Sequence, residues 1–347
     1  MKFEDFSARS EEHLFIIAEA GVNHDGSLSK ALELVDAALD AGCDAIKFQT
    51  WITEKVYSRT QSIKPDYQVE NTSAEESEFE TIKALEFQFE DFQKISDYCR
   101  KKGILFFSTP DEPDSAAMLL KLGVPLMKTA SQDVTNLPFL SHLASLGLPI
   151  IYSTGASTLT EMVAGAEAIR ACTSDMAILH CVSSYPAPLD QMNLNMIGTL
   201  KRMFDCPIGF SDHTTGSGAA CAALALGARV FEKHLTLDRN SPGPDHQASM
   251  APGDFRNYVS ELRSLRTGLG DGLKRIMPCE ENTRLAFRRF LVTRHAMKKG
   301  HVLSEQDFDV KKVVDGLVPA DIGRIVGAQL KCDLDADVVI GFQHIEW

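Results

Sequence analysis

Two short runs carry the densest chemistry in this chain, Ser211-Asp212-His213-Thr214 and Glu232-Lys233-His234. Each sets a histidine beside an acidic residue at the end of an apolar stretch. If the stretches are neighbouring parallel strands, both imidazoles can converge on one ion. Imidazole with few carboxylates and some water suits Mn²⁺, Fe²⁺ or Zn²⁺. A lone histidine at a strand end is more often structural, so the pairing carries the reading. His24, in the turn Asn23-His24-Asp25-Gly26, is a third candidate ligand or a plain loop residue.

Lys47 and Lys128 stand inside apolar runs, where an ammonium costs free energy unless it meets an anion. Ser131, Ser153 and Ser211 can donate hydrogen bonds to the same anion. The set predicts phosphate or carboxylate binding, against two alternatives. One is a buried structural ion pair; the other is a Schiff-base aldolase, which needs one desolvated lysine rather than two among serines and histidines. Glu19 and Asp133 are candidates to orient a sugar or move a proton, or simply to pair with a lysine. Asp245, in the tight turn Gly243-Pro244-Asp245-His246, is expected to face the same pocket.

Such residues need a scaffold that points them one way. From about residue 14 to 236 the same unit recurs: a short apolar run, a turn, then a helix-like stretch. Phe15-Ile16-Ile17-Ala18-Glu19 is the first run and Val230-Phe231-Glu232-Lys233-His234 the eighth. Between the first two runs, Leu32, Val35, Ala38 and Leu39 fall at helical spacing, with Ser27 placed to cap the helix and Gly42 to end it. Strands alternating with helices predict a parallel sheet with crossover helices. Eight units in about 250 residues fit a closed (β/α)₈ TIM barrel better than an open sheet. A doubly wound fold would also place a glycine-rich phosphate loop after the first strand, and Gly21 to Gly26 is not one. Glu19, Lys47, Gln49, Lys128, Ser131, Ser153, Ser183, Ser211, His213 and His234 all fall at the C-terminal ends of the runs, the rim where barrel active sites are built.

Two segments break the rhythm. Residues 51–88 form a polar insertion expected to be an active-site loop or lid. Beyond the barrel, taken as 1–270, residues 271–287 read as a linker and 288–347 as a small, mostly β domain. The net charge of −13 argues against a nucleic-acid surface. No run approaches the roughly 18 apolar residues of a membrane span. The acidic start Met1-Lys2-Phe3-Glu4-Asp5 is not a secretory signal, so a cytoplasmic setting is expected. The eight cysteines show no CxxC pair and read as small buried hydrophobes.

With these residues in place, the chain resembles the sialic acid synthases, the N-acetylneuraminate synthases and their relatives. The resemblance runs through Ile17 to Gly26, Lys47-Phe48-Gln49-Thr50, Phe107-Ser108-Thr109-Pro110, Ser153-Thr154-Gly155, His180-Cys181 with Tyr185-Pro186, Gly209 to His213, Glu232-Lys233-His234 and Pro242 to His246. The tail resembles the family's antifreeze-like, or SAF, domain.

The resemblance implies a metal-assisted condensation of phosphoenolpyruvate with an N-acyl hexosamine such as N-acetylmannosamine, with C–O cleavage releasing phosphate. By this likeness His213 and His234 hold the metal, Mn²⁺ with Mg²⁺ or Co²⁺ as substitutes, and Glu19 and Lys128 join them in catalysis. Lys47, Lys128, Ser131, Ser153, Ser183 and Ser211 would surround phosphoenolpyruvate. Gln49, Asp133, Tyr185, Asp245 and, from the tail, Lys312 would face the sugar. A domain-swapped homodimer is implied as well. The chain departs from the family at Gln132-Asp133, where Gly-Glu is usual, at Asp111, where an aromatic is common, and at Lys312, where arginine is frequent. These changes fall where acceptor choice would be made. They leave open a legionaminic, pseudaminic or spore-coat-type acceptor, or a silent carbohydrate-binding member.

Overall fold

The computed structural model describes residues 14–62, 64–65, 69 and 77–347. The N-terminal stretch read as lacking a secretory signal, and part of the 51–88 insertion, lie outside these residues. The chain divides into two units, Met1–Gly270 and Asp271–Trp347.

In the first unit eight parallel strands share one sheet: β1 (Phe15–Gly21), β2 (Ala45–Thr50), β3 (Leu105–Pro110), β4 (Met127–Thr129), β5 (Ile150–Ser153), β6 (Met176–Cys181), β7 (Ile208–Asp212) and β8 (Val230–His234). Their hydrogen-bonded order is β3-β2-β1-β8-β7-β6-β5-β4, and β3 also lies against β4, so the sheet wraps into the expected barrel. Every strand is covered on both faces. Ile16, Ile17 and Ala18 of β1 are fully buried, as strands beneath crossover helices should be.

The helices form for local reasons. Leu28–Ala41 buries Ala31, Leu34, Val35 and Ala38 at helical spacing. The Ser27 hydroxyl accepts from the Lys30 N–H, and Gly42 ends the helix at φ 83°, a left-handed conformation that suits a residue without Cβ. The insertion after β2 contains the helices Thr53–Val56 and Glu78–Leu85.

Strand alternation decides which side chains reach the interior. On β7 and its end, Ser211 and His213 face inward; on β8, Glu232 and His234 do the same. Asp212 and Lys233 take the opposite face, where they pair at 3.1 Å with both side chains buried. The acidic residue beside His213 therefore works behind the site, holding β7 to β8, whereas the one beside His234 works within it.

The C-terminal unit pairs β9 (Arg289–Thr293) with β10 (Phe308–Lys312), and β11 (Gln329–Leu330) with β12 (Ile345–Glu346), both antiparallel. Leu291, Phe308, Ile325, Leu330 and Ile340 are among its core residues. The segment read as a linker carries an exposed short helix, Glu281–Phe287.

Candidate active site

The C-terminal ends of the barrel strands enclose a cavity of about 670 Å³. Among its walls are Glu19, Lys47, Gln49, Lys128, Ser131, Ser153, Ser183, Tyr185, Ser211, His213, His234 and Asp245. From the insertion, Tyr57, Pro65, Glu78 and Ile82 reach it too.

Its floor is a buried charge network. Lys47 Nζ lies 2.8 Å from Glu19 Oε2 and donates to Thr109 Oγ1 at 2.8 Å. Lys128 donates to Ser153 Oγ and to the Thr129 carbonyl. Glu232 sits between the two lysines, 3.8 Å from Lys47 and 3.7 Å from Lys128, and accepts from Ser211 Oγ at 2.8 Å. Burial opposes its charge, but Lys128 and Lys47 outweigh that and hold its carboxyl at about 2. Glu19 goes the other way: burial lifts it to about 7 against the pull of Lys47. Two neighbouring carboxyls driven apart in this manner divide naturally into a fixed counter-charge and a proton carrier.

Beside the lysines a small cradle opens. The Gly155 N–H donates to Ser131 Oγ at 3.0 Å, and the Ser131 hydroxyl in turn donates to Cys181 Sγ at 3.8 Å, a weak contact that an anion can replace. A Cβ on Gly155 would lie 2.2 Å from Ser183 Oγ and 2.9 Å from Ser131 Oγ. Only glycine leaves both hydroxyls open to one anion.

The two histidine rings stand 5.5 Å apart between centroids. His213 Nδ1 bonds the Val182 carbonyl at 2.7 Å; as that oxygen can only accept, Nδ1 carries a proton, and in the neutral ring Nε2 holds the lone pair. His234 Nδ1 is buried with no hydrogen-bond partner. Burial, then the charge of His213, holds the His234 ring far below the usual range, so it is neutral and a competent donor. Tyr185 packs over His213, ring centroids 4.1 Å apart. Asp245 Oδ2 is 3.7 Å from His234 Nδ1, and burial raises its carboxyl to about 6.

One reading needs correction, one open alternative is decided, and one residue belongs to the other unit. Asp133 is not in the cavity wall: the short turn Ser131–Asp133 presents Gln132 there and sets Asp133 Oδ1 to accept from Asn136 at 3.3 Å. His24 is structural, its ring stacked on Phe87 at 4.0 Å and its Nδ1 accepting from the Gly26 N–H. Lys312 belongs to the C-terminal unit, where its ammonium lies 4.6 Å from the Phe287 ring centre. Glu232, Thr109 and Gly155 were not singled out as site residues from the sequence; Asp111 was marked only as a departure from the family where acceptor choice would be made. Glu232 was legible by alternation, two residues before His234 on the same face.

Residues 34–274 match the NeuB family, and residues 288–346 match the SAF domain. The chain belongs to the NeuB family. It is an enzyme of that family, a synthase with an appended SAF domain. The N,N'-diacetyllegionaminic acid synthase of Legionella pneumophila is 39% identical over 96% of this chain and 94% of its own length. Two solved structures are similar. One is an N-acetylneuraminic acid (sialic acid) synthetase from Leptospira borgpetersenii in complex with citrate, at TM-score 0.71 and 35% identity, covering 79% of this chain and 91% of its own. The other is the spore coat polysaccharide biosynthesis protein SpsE of Bacillus subtilis, at TM-score 0.65 and 33% identity, covering 99% and 97%. Among the described residues no helix is long and apolar enough to cross a membrane.

Proposed function

We propose that this NeuB-family enzyme is a nonulosonate synthase that joins phosphoenolpyruvate to the aldehyde of an open-chain N-acyl amino sugar and releases phosphate. The observation that carries the reading is the floor itself: Lys47, Lys128 and the hydroxyls of Ser131, Ser153, Ser183 and Ser211 converge on one volume beside two histidines.

Electrostatics bears on the metal. The acidic side chains of Glu19, Glu78, Asp111, Glu232 and Asp245 outnumber the ammonium groups of Lys47 and Lys128 on the cavity wall, and burial lifts Glu19, Asp111 and Asp245 toward their neutral forms. A trianionic donor substrate is poorly matched to that balance without added positive charge. No group of three described His, Cys, Asp or Glu residues is arranged around an ion, so the fit rests on the orphaned His234 Nδ1 and the lone pair of His213 Nε2. With the His213 ring giving up its Nε2 proton to the ion, the two imidazoles make an open site for a divalent cation, Mn²⁺ first, with Mg²⁺ or Co²⁺ as substitutes. When bound, the cation supplies Lewis acidity toward the sugar aldehyde.

The side chains divide the remaining work. Lys128 and the serines grip the donor anion, and Lys47 keeps Glu19 oriented. The donor's C3 attacks the aldehyde carbon, water adds at C2, and the tetrahedral centre collapses with C–O cleavage to a keto acid and phosphate. Glu19 accepts the proton of that water. Gln49, Tyr185 and Asp245 border the space left for the sugar.

For the acceptor, N-acetylmannosamine is the first reading. The Legionella relative favours a second. Phosphoenolpyruvate brings no nitrogen, so an N,N'-diacetyl product requires an acceptor carrying two acetamido groups. A cytoplasmic, domain-swapped homodimer completes the proposal. Phosphate release from phosphoenolpyruvate with Mn²⁺ and a panel of mono- and diacetamido sugars, with products weighed by mass spectrometry, tests it. Release that depends on one sugar, with a product extended by three carbons, supports the reading; release with none overturns it.

A further inference from the structure

The cavity holds its two lysines at the floor and, nearer its mouth, a carboxyl group that no ammonium contacts among the described residues. Thr109, which receives the Lys47 hydrogen bond, sits two residues before Asp111. The Asp111 N–H bonds the Thr50 carbonyl at 3.0 Å and so extends the β2–β3 ladder by one residue. At about 3.3 Å per residue, Asp111 stands about 6.6 Å closer to the C-terminal rim than Thr109, on the same face. It lines the cavity. Among the described residues, no hydrogen bond or ion pair engages its carboxyl group.

Its surroundings are hostile to more negative charge. Asp133, on the next connection round the barrel, is 6% exposed, with Oδ2 unpartnered. Glu112 is turned aside, its carboxylate capping the helix Pro113–Leu122 through the Asp114 and Ser115 N–H groups. Burial, and then the charge of Asp133, push the Asp111 carboxyl up to about 8 against the pull of Lys47. No lysine or arginine of the barrel reaches the cavity besides Lys47 and Lys128 among the described residues, and both lie at the floor.

We infer that Asp111 determines acceptor specificity: its carboxyl group hydrogen-bonds a neutral hydroxyl or amide of the sugar, and its setting excludes a phosphorylated sugar. The inference rests on the reading of this cavity as a site for phosphoenolpyruvate and an amino sugar. A donor anion on the floor uses the available cations. A second phosphate nearer the mouth would meet Asp111 with Asp133 behind it and no ammonium group beside it among the described residues, a desolvated anion left without a counter-charge. A neutral polyol or acetamido group finds there an unsatisfied carboxyl able to accept and, when protonated, to donate. Asp111 acts on choice of acceptor, not on grip of the donor.

The test uses turnover and binding on the full chain. Turnover is measured with N-acetylmannosamine, a diacetamido hexose and N-acetylmannosamine 6-phosphate. Binding is measured by calorimetry with Mn²⁺ and phosphoenolpyruvate present, using the unreactive open-chain alditols of the same three sugars. Wild type should favour the better neutral sugar over the phosphorylated one by about 100-fold or more in kcat/KM. Asp111→Asn should raise the neutral acceptor's KM about tenfold, narrow that preference, and leave the KM for phosphoenolpyruvate within about twofold. Asp111→Glu should restore part of the loss, which a merely structural role would not produce. Equal alditol binding by wild type and Asp111→Asn overturns the inference, as does a preference for the phosphorylated sugar or a parallel rise in the KM for phosphoenolpyruvate. If alditol binding discriminates as expected but no sugar supports phosphate release, the specificity assignment stands and the proposed reaction falls.

Discussion

Ser211 Oγ donates to Glu232 Oε1 at 2.8 Å, tying the strand that leads to one histidine to the strand that ends in the other. The same carboxylate faces Lys128 and Lys47 at 3.7 and 3.8 Å. It is thus the shared counter-charge of two buried ammonium groups, and it holds a hydroxyl of the floor in place.

Replacing Glu232 by Ala removes that counter-charge and leaves both lysines buried. Breaking a buried pair costs about 3–5 kcal/mol, so thermal or denaturant unfolding should show a loss of that order. Glu232→Gln keeps the shape and should lose less. A variant as stable as wild type would mean the lysines are neutralised without Glu232.

Glu19 carries the pH dependence. Burial raises its carboxyl to about 7; below that pH it is protonated and cannot take a proton from water. The profile of kcat should therefore fall on the acid side with an inflection near 7. Glu19→Gln should lower kcat by roughly 10²- to 10⁴-fold and abolish the inflection, while calorimetric Mn²⁺ binding persists. An unchanged acid limb in Glu19→Gln assigns the proton to another group.

The barrel was legible because strand and helix periods alternate through the first unit on both sides of the 51–88 insertion, and because the polar residues gather at one end of each strand. The one misplaced residue and the one left open have a common physical origin. Asp133 and His24 both follow strand ends, where alternation stops and turn geometry decides which side chain points inward. A turn of three residues was enough to exchange Gln132 for Asp133 in the wall. His24 was taken up by a ring neighbour, Phe87, that lies far along the sequence. Asp212 and Glu232 looked equivalent as acidic neighbours of histidines; strand parity separates them, and it was available from spacing alone.

Gly155 offers a steric test of the anion cradle. A Cβ there would approach Ser183 Oγ to 2.2 Å and Cys181 Sγ to 3.0 Å, closer than van der Waals contact allows. Gly155→Ala must displace the hydroxyls that the cradle presents. Overpacking of this kind costs about 1–3 kcal/mol of stability, and the KM for phosphoenolpyruvate should rise at least about tenfold, a factor worth about 1.4 kcal/mol. Steady-state kinetics beside a melting curve separates the two effects. An unaltered KM for phosphoenolpyruvate would move the donor site away from Ser131 and Ser183.

Metal removal gives the sharpest separation between His213 and His234 as ligands and as packing residues. His213 is anchored by the Val182 carbonyl and by Tyr185 packed at a tilt over its ring, so its orientation survives without an ion. His234 has no such hydrogen bond; its Nδ1 is orphaned in the interior. An ion that binds the folded chain alone stabilises it in proportion to ln(1 + [L]/Kd), about 2.7 kcal/mol at a hundredfold excess over Kd. Chelator-treated protein should therefore melt lower than protein reloaded with Mn²⁺, and phosphate release should return on reloading. His213→Ala and His234→Ala should each retain no Mn²⁺ by elemental analysis, and their melting temperatures should not respond to it. A melting temperature that still rises with Mn²⁺ in both variants would locate the ion elsewhere and leave the two rings a packing role beside Tyr185.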